Sequence, residues 1–191
     1  LGLISCGPSK VKTSDAGTKD SSAAEQQSPI TWTECSSNEG DHPCDFTLVD
    51  HEGNEVTLYE LYGQPIVLDF STMWCYYCQM AAYDVKEVAK LYEAQDLVYI
   101  TVLAQNFQGA DPTQDDLVQW VEHFEIGEVS TPVLGASMSM VDPTGENGWL
   151  VEAWPTFYFI DSEMVTQMYL RGWSAPAITA GIESIVTPQS Q

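Results

Sequence analysis

The sequence predicts an α/β protein: a mixed central β-sheet with helices on both faces, preceded by a β-hairpin. Three observations carry this reading. Short runs rich in β-branched and aromatic residues alternate with stretches of helical periodicity. The last two strand-like runs follow one another directly, as a hairpin does. The apolar residues, 44% of the chain, are concentrated after residue 45.

The elements follow in order. Phe46 to Asp50 and Glu55 to Leu58 alternate apolar and polar residues around His51-Glu-Gly-Asn54, which is a hairpin with Gly53 in the turn. Tyr59 to Gly63 reads as a short helical turn closed by glycine. Pro65 to Phe70 is a short apolar run, which suits a buried central strand. From Cys75 the period changes. Ala81, Val85, Val88 and Tyr92 fall on one helical stripe. Leu97 to Leu103 is the next strand. Thr113 to Phe124 is a second helix, with Leu117, Trp120, Val121 and Phe124 on one face. Thr113 is its N-cap, and Asp115 and Asp116 suit the positive end of its dipole. Thr156 to Ile160 is a strand, Asp161-Ser-Glu a tight turn, and Val165 to Leu170 the returning strand. Ser174 to Val186 closes the chain as a helix. No internal repeat is visible.

The first 30 residues differ in kind. Leu3-Ile-Ser-Cys6 resembles the lipobox of bacterial lipoproteins, whose cysteine becomes the lipidated first residue. On that reading residues 1–6 are the end of a signal, and its charged region and most of its apolar region are absent. Residues 7–30, dominated by Ser, Thr, Lys, Asp, Gln and Ala, cannot bury enough surface to offset chain entropy and read as a flexible tether. A single domain is expected over 31–190. Its longest apolar run is too short to span a bilayer, so membrane contact is expected through a lipid on Cys6 only.

Net charge is −22, from 6 Lys and Arg against 28 Asp and Glu. Such a chain repels a phosphate backbone, which excludes nucleic acid as a partner. The acidity suits a solvated surface, or attraction to a basic partner.

The five cysteines divide into Cys6, the pair Cys35 and Cys44, and the C-x-x-C of Cys75 and Cys78. Cys35 and Cys44 flank a loop of turn-forming residues. A structural disulfide, two free thiols, and a metal site completed by His42 are all open. Export favours the bond, and the metal reading lacks a fourth ligand. His51 and His123 stand apart in surface or loop positions.

The chemistry lies in Phe70-Ser-Thr-Met-Trp-Cys-Tyr-Tyr-Cys78, where a strand ends and a helix begins. A thiolate is the nucleophile of disulfide exchange. Cys75 in the first helical turn meets unpaired N–H groups and the positive end of the dipole, and both lower its pKa. A spacing of three puts Cys78 beneath it, shielded and within disulfide reach. Cys75 is therefore the attacking thiol and Cys78 the resolving one.

The run Ile66-Val-Leu-Asp-Phe-Ser-Thr-Met-Trp-Cys-Tyr-Tyr-Cys78 resembles the thioredoxin signature. Ala153-Trp-Pro-Thr-Phe-Tyr-Phe-Ile160 resembles the segment that carries the family's cis-proline, and Arg171-Gly-Trp173 resembles its late glycine. The early hairpin and an inserted segment between Phe107 and Trp149 are more similar to the membrane-tethered extracytoplasmic thioredoxins of TlpA and redoxin type. The resemblance covers about residues 45 to 187. It implies a thioredoxin-like fold, no cofactor, protein thiols and disulfides as substrates, a redox partner protein, and residence in the periplasm or at the cell surface. It implies that Asp69 accepts the proton of Cys78, that Trp74 is an aromatic lid, that Pro155 lies against the disulfide after a cis bond, and that Trp154 offers backbone hydrogen bonds to a peptide. Gly172 falls on the late glycine. Tyr76 and Tyr77 replace the usual Gly-Pro and tune the potential. No His sits between the cysteines, which favours a reductase over a strong oxidant.

Two other functions compete. A peroxiredoxin needs Thr three residues before its peroxidatic cysteine and Pro seven before: Thr72 fits and Leu68 does not. A thioredoxin fold used for copper delivery or partner binding would hold a soft metal on Cys75 and Cys78. Met138, Met140, Met164 and Met168 invite that thought, but core filling explains them. The acidic loop from Asp142 to Gly148 suits a turn as well as a calcium site.

Overall fold

A computed structural model of the chain describes residues 30–128, 130–145 and 148–186. Residues 1–6, with Cys6, and most of the tether lie outside the described residues. The hairpin forms where the alternation predicts it. β1 (Thr47–Asp50) and β2 (Glu55–Thr57) pair antiparallel. The Asp50 carboxylate accepts from the backbone N–H of Glu52 and of Asn54, each at 2.8 Å, and Gly53 takes φ +89°. Self-bonding Asp and a Gly free to adopt positive φ are what such a turn needs. A 3₁₀ turn over Leu58–Leu61 then leads into β3 (Ile66–Ser71), whose six residues are all buried.

The order continues with α1 (Tyr76–Leu91), β4 (Val98–Leu103) and α2 (Gln114–Phe124). Thr113 caps α2 reciprocally. Its hydroxyl accepts from the Asp116 N–H at 3.3 Å, and the Asp116 carboxylate accepts from the Thr113 N–H at 2.8 Å. Next come β5 (Val133–Gly135), β6 (Val141–Asp142), β7 (Trp149–Leu150), β8 (Thr156–Ile160), β9 (Thr166–Arg171) and α3 (Ala175–Val186). β6 and β7 form a small separate pair. The main sheet has the order β2-β1-β5-β4-β3-β8-β9. β3, β4 and β5 run parallel, and the other pairings are antiparallel. Nothing in the sequence announces β5, because three residues are too few to show a period. It nevertheless joins the hairpin to the rest of the sheet.

The helical cover of the two faces is unequal. α1, α2 and α3 all pack on the face of Val67, Tyr99, Val133, Phe157 and Phe159. The face of Leu68, Phe70, Ile100 and Tyr158 is covered by residues of two 3₁₀ turns (Leu58–Leu61 and Met138–Met140), by Trp149 and Val151, and by Trp32 and Phe46. Handedness is the reason for α1 and α2. The crossovers from β3 to β4 and from β4 to β5 step the same way across the sheet. Right-handed connections then leave both helices on one side. α3 lies so close that a Cβ on Gly181 would sit 2.5 Å from the Phe159 ring.

Cys35 and Cys44 are joined by a disulfide, with Cα atoms 4.8 Å apart. The loop they close lies along β9. The Gly40 N–H donates to the Thr166 carbonyl (2.8 Å), the Thr166 N–H to the Asp41 carbonyl (3.0 Å), and the Tyr169 N–H to the Glu39 carboxylate (3.0 Å). His42, weighed above as a ligand, stacks on Trp32 at 3.6 Å between centroids, and its Nδ1 donates to the Met164 carbonyl at 2.7 Å. Replacing Cys35 and Cys44 together with serine is expected to lower stability by about 2–3 kcal/mol, the chain-entropy value for so short a loop. The readout is the urea midpoint under non-reducing conditions. An unchanged midpoint would mean that the bonds to β9 hold the loop without the disulfide.

Candidate active site at the head of the first helix

β3 ends at Ser71, and the chain turns sharply before α1. The Met73 N–H donates to the Gln105 carbonyl at 2.9 Å, and the Cys75 N–H to the Thr72 carbonyl at 3.3 Å. Cys75 is the N-cap of α1, with φ −80° and ψ 120°, and its Sγ accepts from the Cys78 N–H at 3.2 Å. A cap is normally an oxygen, and here a sulfur takes the place. Both thiols are free. Cys75 is 7% exposed and Cys78 is fully buried.

The environment drives the two thiols apart. A hydrogen bond from the Cys78 thiol, aided by the N–H groups of Cys78 and Tyr77, lowers the Cys75 pKa to about 6 against the opposing effect of burial. Burial pushes Cys78 upward, and donation to Cys75 and the negative charge of Asp69 push it further the same way. One sulfur is poised to attack at neutral pH, and the other keeps its proton until it is taken.

Asp69 is the carboxyl whose charge acts on Cys78. The carboxyl is buried in β3. Its Oδ1 accepts from the Ser71 hydroxyl at 2.7 Å and its Oδ2 from the Tyr99 hydroxyl at 3.4 Å. Burial raises its pKa to about 7, the Ser71 and Tyr99 hydroxyls pull the other way, and the charge of Cys75 adds to the rise. Ser71 and Tyr99 escape the sequence reading. Strand alternation holds the clue: Ser71 is two residues from Asp69, and Tyr99 is two from Thr101, the parallel partner of Asp69. Only knowledge of that pairing brings the three side chains to one face.

The other expected site residues fall around the dithiol in different ways. Trp74 is half exposed, and its indole N–H donates to the Gln105 side chain at 3.1 Å. Tyr76 and Tyr77 are 66% and 55% exposed and pack edge to face on each other. Their rings stand in solvent, so Tyr77 reaches Cys75 through its backbone N–H. The Trp154–Pro155 bond is cis. Phe70 pairs with Thr156, which sets Pro155 level with the start of the loop to Cys75. Gly172 takes φ +77°, and its N–H donates to the Pro155 carbonyl at 2.7 Å. Phe107, unmarked in the sequence reading except as the start of an insertion, is 54% exposed. It borders a groove of about 530 Å³ together with Met73, Gln79, His123 and Phe124.

Other candidates do not gather. Met168 packs with the helices, whereas Met140 and Met164 pack on the opposite face of the sheet. Among the described residues no group of three or more His, Cys, Asp or Glu is placed to hold a metal ion, and no helix is long and apolar enough to cross a membrane.

Comparison with known proteins gives these features a context. The model of the AhpC/TSA family matches residues 40–168. The thioredoxin-like protein YneN of Bacillus subtilis is 25% identical over 130 residues, which is 68% of this chain and 69% of YneN. A Chlorobium tepidum structure, provisionally identified as the thiol:disulfide interchange protein DsbE, superposes with a TM-score of 0.61 at 22% identity, covering 80% of this chain and all of that one (100%). The exposed lipoprotein thioredoxin Etrx1 of Streptococcus pneumoniae superposes with a TM-score of 0.52 at 26% identity, covering 73% and 99%. The fold is that of thioredoxin.

Two outcomes are expected. Alkylation of Cys75 by iodoacetamide, followed by mass spectrometry, should rise with a midpoint near pH 6, while Cys78 stays unmodified. A midpoint near the ordinary value of about 8.5 would sink the assignment of the attacking thiol. The second concerns stability. The folded chain binds the Asp69 proton more tightly than the unfolded chain does. Stability is therefore full below the ordinary value of 3.8 and falls as pH rises through about 7. Asp69→Asn should stabilise the reduced protein at pH 8, by at most roughly 4 kcal/mol on the usual conversion of a pKa difference, and change little at pH 4. Denaturant titrations at the two pH values decide it.

Proposed function

The chain belongs to the AhpC/TSA family, and from that starting point we propose that it is a thiol–disulfide oxidoreductase acting on protein disulfides through Cys75 and Cys78. The observation that carries the proposal is the opposed state of the two sulfurs, one acidic and 7% exposed, the other fully buried and holding its proton.

The Cys75 thiolate attacks one sulfur of a substrate disulfide. A mixed disulfide forms, and the other substrate sulfur leaves as a thiolate. Asp69 takes the Cys78 proton. The Cys78 sulfur attacks Cys75, the intrachain disulfide closes, and the second substrate thiolate departs. Two electrons have passed to the substrate, and a partner dithiol restores the site. Trp74, Trp154 and cis-Pro155 frame the opening where the peptide lies. Tyr76 and Tyr77 act on the potential through the backbone at the cap.

We read the direction as reduction. Cys75 is held by a thiol and by amides, and its pKa of about 6 lies closer to thioredoxin's value of about 7 than to the value of about 3.5 of the oxidant DsbA. The cell envelope is the proposed setting, with Cys6 as the lipid anchor. The bonded Cys35–Cys44 pair supports it, because such bonds persist in oxidising compartments. So does the likeness to an exposed lipoprotein of Streptococcus pneumoniae. A peroxidase acting through Cys75 and Thr72 is the second reading; the placement of Cys78 directly behind Cys75 favours dithiol exchange. A metal carrier would need ligands beyond the two thiols.

The reduced protein is expected to reduce insulin disulfides. Cys75→Ser should abolish the activity, and Cys78→Ser should trap a mixed disulfide visible on non-reducing gels. The Cys75–Cys78 couple should titrate near thioredoxin's value of about −270 mV; one near −120 mV would reverse the direction. Consumption of hydrogen peroxide with no insulin reduction would replace the whole reading.

A further inference from the structure

Resolution creates a problem of protons. Asp69 is 1% exposed and Cys78 is fully buried. While the mixed disulfide stands, substrate covers the opening at Cys75. A proton delivered to Asp69 then has no contact with solvent at the front of the site. Two side chains hydrogen-bond the carboxyl. Ser71 is fully buried, so its hydroxyl leads no further. Tyr99 is different. It is itself 2% exposed, but its hydroxyl lies 3.4 Å from Asp69 Oδ2 and it is one of the residues that line a cleft of about 290 Å³ between α1 and α3. Ala81, Asp84 and Val88 line the cleft from α1, and Ile178 and Thr179 from α3. The Asp84 carboxylate is held there by the Trp173 indole N–H at 3.2 Å.

We propose that the Tyr99 hydroxyl is a proton relay from Asp69 to the cleft between α1 and α3, so that the site discharges its proton through the side away from bound substrate. The proposal rests on the dithiol reading above. In the resolving step the Cys78 S–H bond breaks and the proton goes to Asp69 Oδ2. The S–S bond between Cys78 and Cys75 forms, and the bond from Cys75 to the substrate sulfur breaks, with its electron pair leaving on the substrate thiolate. Asp69, now an acid, donates to the Tyr99 oxygen, so the hydrogen bond reverses. The hydrogen that Tyr99 carried is released to solvent in the cleft beside Asp84. Tyr99 begins and ends neutral. The groups facing it are Asp69 from β3, and Asp84 and Cys78 from α1. Burial, together with the charges of Asp69 and Asp84, holds Tyr99 well above its ordinary pKa. No phenolate is needed at any point.

Tyr99→Phe tests this, since it removes one oxygen and keeps the ring. With a thionitrobenzoate-labelled peptide disulfide, the stopped-flow burst of thionitrobenzoate reports the first phase, attack by Cys75 on the peptide sulfur. Decay of the acid-quenched Cys75–peptide mixed disulfide, followed by mass spectrometry, reports the second phase, resolution by Cys78. The variant should keep the first phase within twofold of wild type and slow the second about tenfold, a share of what positioned proton transfer commonly supplies. In parallel, the ¹³C carboxyl signal of Asp69 should titrate at higher pH in the variant, because a donor to the carboxylate is gone. That readout does not depend on exchange activity. Resolution at the wild-type rate overturns the relay, whether or not the Asp69 titration moves. Equal slowing of both phases also overturns it, since it would show a packing role only. Wild-type protein that shows neither phase removes the dithiol reading itself, and the relay with it.

Discussion

α1 begins, like every helix, with N–H groups that no helical carbonyl can reach. Most helices meet that need with a side-chain oxygen. Here the acceptor is the Cys75 sulfur, and the requirement of the helix becomes the requirement of the chemistry. Negative charge on the sulfur strengthens the cap, and the cap stabilises the negative charge. The turn before the helix is pinned by the Gln105 and Thr72 carbonyls, so the sulfur cannot drift from the donors that make it acidic. On the proposed mechanism, helix initiation and nucleophile activation are one interaction.

The strand before that helix imposes the opposite kind of demand. β3 lies between β4 and β8 with all its residues buried, and a carboxyl in its middle is taken out of water. Burial makes Asp69 hold a proton near neutral pH, where an exposed aspartate would be fully ionised. The fold gives up stability near neutral pH, and on the proposed mechanism it gains a base for the thiol that must lose its proton. Ser71 and Tyr99 keep that loss from growing, because each donates to the carboxylate.

The parts readable from the sequence share a trait: their information is local. β3, α1 and α2 appear in their own periodicity, the cap of α2 in Thr113 and Asp116, and the hairpin in Gly53. The offsets from Asp69 to Cys75 and Cys78, and the later Pro155 and Gly172, pointed to the fold as an ordered set. The parts hidden from the sequence depend on pairing. β5 is recognisable only when seated between β1 and β4. Tyr99 meets Asp69 because two strands align in one register out of several. The placement of α1 and α2 on one face follows from the direction in which the strands step across the sheet, which no single segment encodes. The exposure of Tyr76 and Tyr77, which adjacency to the cysteines does not reveal, follows from a helix start that turns both rings outward.

The loop bound to β9 has a meaning of its own. An outermost strand displays unpaired amides and carbonyls that another chain could zip onto. On this sheet Gly40, Asp41 and Glu39 occupy such positions along β9, and a covalent clasp keeps them seated. At the opposite margin β2 is only three residues long and offers little to a visitor. On the function proposed above, the protein would meet partly unfolded clients with sticky strands exposed. Its own rims are blunted, so on that proposal a client would be met at the sulfur rather than along the backbone of the sheet.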